Sequence, residues 1–161
     1  MNIKELSRYY WLEKREQTLL RWQEQIMDEI KEQERRLAIL RESAISAGSP
    51  DLSGMPHGTT VGNRTESVVL QIMAYESAVQ DKALLGMRLG VEIAQVRNDA
   101  IQARMKVEEY ISGIESRYLQ QAFDLRFLQG YSWPVVAEMM TRGTHDAENV
   151  KKACYRYIRQ H

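Results

Sequence analysis

The sequence predicts an all-α protein: a long antiparallel helical hairpin of coiled-coil character, followed by a C-terminal helix-turn-helix. Three observations carry this expectation. Two apolar repeats recur every seven residues, one before and one after a segment rich in glycine and proline. Beyond the second repeat come short apolar runs separated by turn signals, and the last run is basic and amphipathic. Only 3 prolines occur in 161 residues, and two of them, Pro50 and Pro56, sit in the parting segment, so the main helix breaker is nearly absent elsewhere. The organisation read from this pattern is a first long helix over 1–45, a loop over 46–64, a second long helix over 65–114 and a helix-turn-helix domain over 115–161.

The first helix is carried by two rows of residues. Leu12, Leu19, Ile26, Gln33 and Leu40 recur every seven positions, and Tyr9, Glu16, Gln23, Ile30, Leu37 and Ala44 form the companion row. Dense Glu, Lys and Arg flank this seam, which is coiled-coil patterning with polar interruptions. At a rise of about 1.5 Å per residue such a helix is about 60 Å long and needs a partner helix. Trp11 and Trp22 stand eleven residues apart on one face and are expected to pack across the hairpin or a dimer.

Residues 46–64, SAGSPDLSGMPHGTTVGNR, hold four glycines and two prolines and interrupt the helical pattern. Asn63 is placed to cap the second helix, with Glu66 three residues on. That helix repeats Ile72, Val79, Gly86, Ile93, Ala100, Val107 and Ile114, with Tyr75, Lys82, Leu89, Val96, Ala103 and Tyr110 alongside. Gly86 and Gly90 each cost about 1 kcal/mol relative to alanine and mark a close helix approach or a kink. Two long helices joined by one loop most simply fold back antiparallel, and the apolar surface left over implies a homodimer through the long helices.

The C-terminal segment is read as three shorter helices. Ile114, Tyr118, Ala122, Leu125, Phe127 and Leu128 carry the first, which Gly130 ends. Ser132 offers a cap for the second, opened by Trp133 and Pro134. Thr141-Arg142-Gly143 is a tight turn, and Thr144 or Asp146 caps a third helix over 147–159. Val150, Ala153, Cys154, Tyr157 and Ile158 form its apolar face. A short helix, a turn with glycine and a basic amphipathic helix make the helix-turn-helix pattern. A helix fits the major groove of duplex DNA, residues near its N-terminus reach base edges, and cations further along neutralise phosphates. The candidate DNA-binding residues are Arg142, His145, Glu148, Asn149, Lys151, Lys152, Tyr155, Arg156 and Arg159. Asn149 suits adenine and Lys152 guanine, while Arg156 and Arg159 suit phosphates.

Charge distribution agrees. Lys plus Arg against Asp plus Glu is nine to nine over 1–45, six to eight over 46–114 and seven to five over 115–161, so the basic excess lies at the C-terminal end. One cysteine, Cys154, rules out an internal disulfide and suits a reduced, cytoplasmic compartment. No apolar run approaches the roughly 18 residues of a membrane span. His57, His145 and His161 are scattered without partners at metal-ligand spacing, and no catalytic constellation is found, so neither an enzyme nor a metal or cofactor protein is expected.

The stretch LQQAFDLRFLQGYSWPVVAEMM with AENVKKACYRYI resembles region 4 of sigma-70 factors, with matches at Arg126, Phe127, Gly130, Ser132, Trp133, Val136, Ala137, Val150, Lys151 and Lys152. The loop SPDLSGMPHGTT and the coiled-coil N-terminus extend the likeness over nearly the whole chain. Together they resemble the sigma-70-like phage transcriptional regulators of Gram-positive bacteria, the RinA- and ArpU-type activators and their relatives. The turn TRGTHDAEN is longer and more polar than that family's, and Phe127 stands where a tyrosine is often found. The resemblance implies a prophage-encoded, sequence-specific regulator that binds double-stranded DNA in a bacterial cytoplasm. The alternatives are a sigma-like factor bound to RNA polymerase and a small-terminase-like packaging subunit, which usually places its DNA module first.

Overall fold

The structure of the chain is a computed structural model that describes residues 1–47, 61–141 and 146–160. Its elements are α1 (Ile3–Ala47), α2 (Val61–Ser112), α3 (Arg117–Phe123), a π-helical turn (Asp124–Leu128), α4 (Trp133–Thr141) and α5 (Ala147–Gln160). The fold is all-α, with no strand among the described residues. The first helix starts on a reciprocal cap: the Glu5 amide donates to Asn2 Oδ1 and the Asn2 amide to Glu5 Oε2, each at 2.9 Å. Asn63 lies inside α2 rather than before it, because the helix already begins at Val61. Residues 48–60 of the glycine- and proline-rich segment lie outside the described residues.

The chain divides into two compact units, Met1–Leu19 with Glu92–His161, and Leu20–Val91. In the second unit α1 and α2 run antiparallel. Gln23 Nε2 donates to the Gly86 carbonyl at 3.4 Å, Lys82 pairs with Glu29 at 2.7 Å and Arg41 with Glu76 at 2.6 Å. Ile26, Ile30, Leu37 and Leu89 are buried, all of them from the heptad rows. Exposed ion pairs stabilise by only about 0–1 kcal/mol each. Burial of the apolar seam therefore supplies most of the attraction, and the pairs fix its register.

Gly86 does not serve a close approach in this unit, since a Cβ added there meets nothing within 4 Å. A glycine inside a helix without a packing reason only adds backbone entropy to the unfolded chain. Gly86→Ala is therefore expected to raise stability by about 1 kcal/mol, read as a higher midpoint in urea unfolding.

The first unit gathers both ends of the sequence. The N-terminal part of α1 again runs antiparallel to α2: Arg15 pairs with Glu92 at 2.7 Å, Glu16 with Arg97 at 2.6 Å, and the Arg104 guanidinium lies 5.9 Å from the Tyr9 ring. Leu6, Val107, Ile111 and Ile114 enter one core with Phe123, Val136, Val150 and Cys154. Residues 115–161 thus share their core with α1 and α2. The reason is physical: α3 has 7 residues and α4 has 9, too short to enclose an apolar centre alone.

Helix α2 stops at Ser112, and the chain turns through Gly113 before Ser116 caps α3, its hydroxyl accepting from the Leu119 amide at 3.5 Å. After α3 the helix widens, with the Gln129 amide donating to the Asp124 carbonyl at 3.0 Å, a step of five residues. The wider turn carries Leu125 and Phe127 into the same core as Phe123. Gly130 ends it at φ +75, a left-handed conformation that favours glycine, and a Cβ there would stand 2.7 Å from the Tyr10 ring.

Of the two placements the spacing offers, hairpin or dimer, the hairpin does not bury either tryptophan of α1. Trp11 is 67% exposed and Trp22 47%. Both stand off the buried rows of α1, and Trp11 meets the edge of Tyr10, at 5.9 Å between centroids.

Candidate nucleic-acid interface

The surface of interest is the outer side of α5, and a local cap starts that helix. The Asp146 carbonyl accepts from the Asn149 amide at 2.9 Å, and Asp146 Oδ1 accepts from the Glu148 amide at 3.3 Å. Of the two caps expected, Thr144 lies outside the described residues and Asp146 acts. A carboxylate at this end also complements the helix dipole.

From the cap onward the sequence sorts side chains by face. Val150 and Cys154 are fully buried, with Ala153, Tyr157 and Ile158 half-buried beside them. Tyr157 stands edge-on to Phe123 at 6.0 Å and to Tyr110 at 6.3 Å, so an aromatic cluster anchors the inner face. With that face fixed, Asn149, Lys152, Arg156 and Arg159 fall on the opposite side in steps of three, four and three, and all are exposed.

Burial pushes the Cys154 thiol from its ordinary 9.0 up to about 12. The thiolate is the nucleophile, so the folded protein is expected to resist alkylation by iodoacetamide at pH 8 and to react once unfolded in urea. A raised thiol value favours the fold below the unfolded value and withdraws that support as pH climbs from about 9 towards 12.

The remaining candidates form a lateral band. Lys151 is half-buried, reaches Glu148 at 3.5 Å and lies 5.9 Å from the Tyr155 ring. Tyr155, also half-buried, meets Trp133 of α4 edge-on at 5.9 Å. Glu148 is exposed and partly offsets Lys151. Arg142 and His145 lie outside the described residues. The structure thus brings seven of the nine candidates onto one helix, with Lys152, Arg156 and Arg159 in no ion pair among the described residues. Helix α5 carries four cations against one carboxylate.

One residue was missed as a site candidate. Arg126 donates from Nη1 to the Tyr131 carbonyl at 2.7 Å and holds its guanidinium 5.4 Å from the Trp133 ring. It therefore continues the band Lys151, Tyr155, Trp133 away from α5 and adds a further cation. Its signal in the sequence was an arginine seven positions before a tryptophan, which acquires meaning only when the turn at Gly130 folds one over the other.

Chemically, the described residues of this surface offer hydrogen-bond donors and positive charge. Comparison with family models, curated proteins and solved structures finds no match for this chain.

Proposed function

We propose that the chain is a sequence-specific DNA-binding transcription regulator of the sigma-region-4-like phage type, and not an enzyme. In this reading α4 and α5 act as a helix-turn-helix, with α5 entering the major groove. The observation that carries it is the exposed stripe Asn149, Lys152, Arg156 and Arg159, opposite a face buried at Val150 and Cys154. Asn149 sits in the first turn, where a helix pointed into the groove meets base edges, and its amide suits adenine N6 and N7. Lys152 follows one turn later at reach of guanine, and Arg156 and Arg159 hold phosphates on the groove wall. Arg126, braced on Trp133 and the Tyr131 carbonyl, supplies a phosphate contact beside them.

The partner is double-stranded DNA in a bacterial cytoplasm, and the protein works as a homodimer through its long helices. No described helix is long and apolar enough to cross a membrane. The residues that resemble sigma region 4 support regulation over packaging, since Arg126, Trp133 and Lys151 of that likeness fall within the lateral band and Lys152 on the exposed stripe of α5.

Selection from a pool of random duplexes by the full chain tests the proposal. A short enriched motif, bound more weakly as salt rises, is the expected result. A pool that stays random after repeated rounds refutes it.

A further inference from the structure

In the unit Leu20–Val91, α2 carries a second apolar stripe that α1 does not cover. Leu70, Met73, Leu84, Met87 and Val91 follow steps of three and four, with Ser77 and Gln80 filling the two positions between. All seven residues are exposed, and Leu84, Met87 and Val91 are 54%, 70% and 61% exposed. At about 100° per residue the stripe lies nearly opposite the inner row of half-buried Ile72, Tyr75 and Val79 and buried Leu89. The outer face of a helix in a two-helix seam is ordinarily polar, because water meets it. A long row of exposed leucine, methionine and valine instead marks a surface that another surface covers.

The charges beside the stripe say what covers it. Asp81 and Arg88 stand on one edge, one heptad apart, both exposed and both outside any ion pair among the described residues. A copy of α2 laid antiparallel about a two-fold axis near residues 85 and 86 sets each Asp81 against the partner's Arg88. The same register puts Leu84 against the partner's Met87 and Val91 against the carbon stem of the partner's Gln80. The edge is therefore complementary to itself, which a two-fold interface requires. In a parallel pair this edge faces the other flank, where Glu76, Ala83 and Gly90 offer Asp81 no cation and Arg88 no carboxylate.

We propose that a second copy of this chain docks on the outer face of α2 between Leu70 and Val91, antiparallel and two-fold symmetric. This rests on the self-association proposed above and adds its face and direction.

Pulsed electron spin resonance on the full chain tests it, with single nitroxide labels at Leu85, Ala74 or Gln71 on added cysteines. Label-to-label distance is expected to rise from Leu85 to Ala74 to Gln71 by about 3 Å per residue, twice the helical rise. Sedimentation of charge variants gives a second reading. Asp81→Arg is expected to weaken the dimer about tenfold, and Asp81→Arg with Arg88→Asp to restore it within about twofold. Equal distances at the three sites, or a dimer unmoved by Leu84→Asp, overturn this face and direction while leaving self-association standing. A monomer at every concentration overturns both, and the duplex-selection result is independent of either outcome.

Discussion

Phe123→Ala is expected to destabilise the unit Met1–Leu19 with Glu92–His161 by about 3–5 kcal/mol. The side chain is fully buried at the end of α3. Its ring centroid lies 5.9 Å from that of Tyr110, 5.4 Å from Phe127 and 6.0 Å from Tyr157, so it joins α2, the π-helical turn and α5. Alanine removes the transfer energy of the ring and leaves a cavity whose walls belong to three different segments and cannot close together. Domains are stable by only about 5–15 kcal/mol in total, so a large share of the stability goes. Urea unfolding followed by circular dichroism reads the loss. A change below about 1 kcal/mol would mean that α5 is not held by this core.

Replacing Lys152, Arg156 and Arg159 together by alanine is expected to weaken duplex binding on the order of 100-fold at physiological salt. The estimate follows from counterion release. Each phosphate contact contributes about 0.9 to the slope of log affinity against log salt, so Arg156 and Arg159 extrapolated from about 1 M to about 0.15 M give about 1.5 decades, and loss of the Lys152 base contact adds about 1 kcal/mol. Stability should hardly change, because all three side chains are exposed and unpaired among the described residues. The slope itself should fall by about two, one for each phosphate contact of Arg156 and Arg159. Weaker binding with an unchanged slope would place the phosphate contacts elsewhere, and unfolding midpoints separate lost contacts from lost fold.

Much of the architecture was legible because it rests on period. The seven-residue rows named Tyr9, Leu19, Ile26, Ile30 and Leu37 in α1 and Leu89, Ile93, Val96, Ala100, Ala103 and Val107 in α2, and all are buried. Local chemistry was legible too, at Asp146 before α5 and at Gly130 with φ +75. Boundaries were less so. Asn63 has the composition of a cap, yet α2 already begins two residues before it, at Val61. The end of the second long helix was placed at 114, two residues past Ser112, but the wide turn over Asp124–Leu128 was missed, because it depends on where Phe123 and Phe127 find a core. That core includes Leu6, more than a hundred positions away, and no local window links them.

The site divides in the same manner. The α5 stripe follows from periodicity within one helix, so Asn149, Lys152, Arg156 and Arg159 were placed correctly on one exposed face. Arg126 depends on a tertiary contact with Trp133 and was not placed in the site from spacing. The two exposed tryptophans show the converse. Trp11 and Trp22 have a regular spacing, but they stand off the rows that the seam buries.

Photochemical cross-linking from the wild-type chain to its selected duplex tests the central claim most directly. The substituted base is 5-iodouracil, one thymine at a time, since the 5-position of thymine lies in the major groove. The account predicts a cross-link from within the site that maps to the segment from Asn149 to Tyr155 of α5. Cross-links confined to α1 or α2, or none from any substituted position in a duplex that binds, would contradict it.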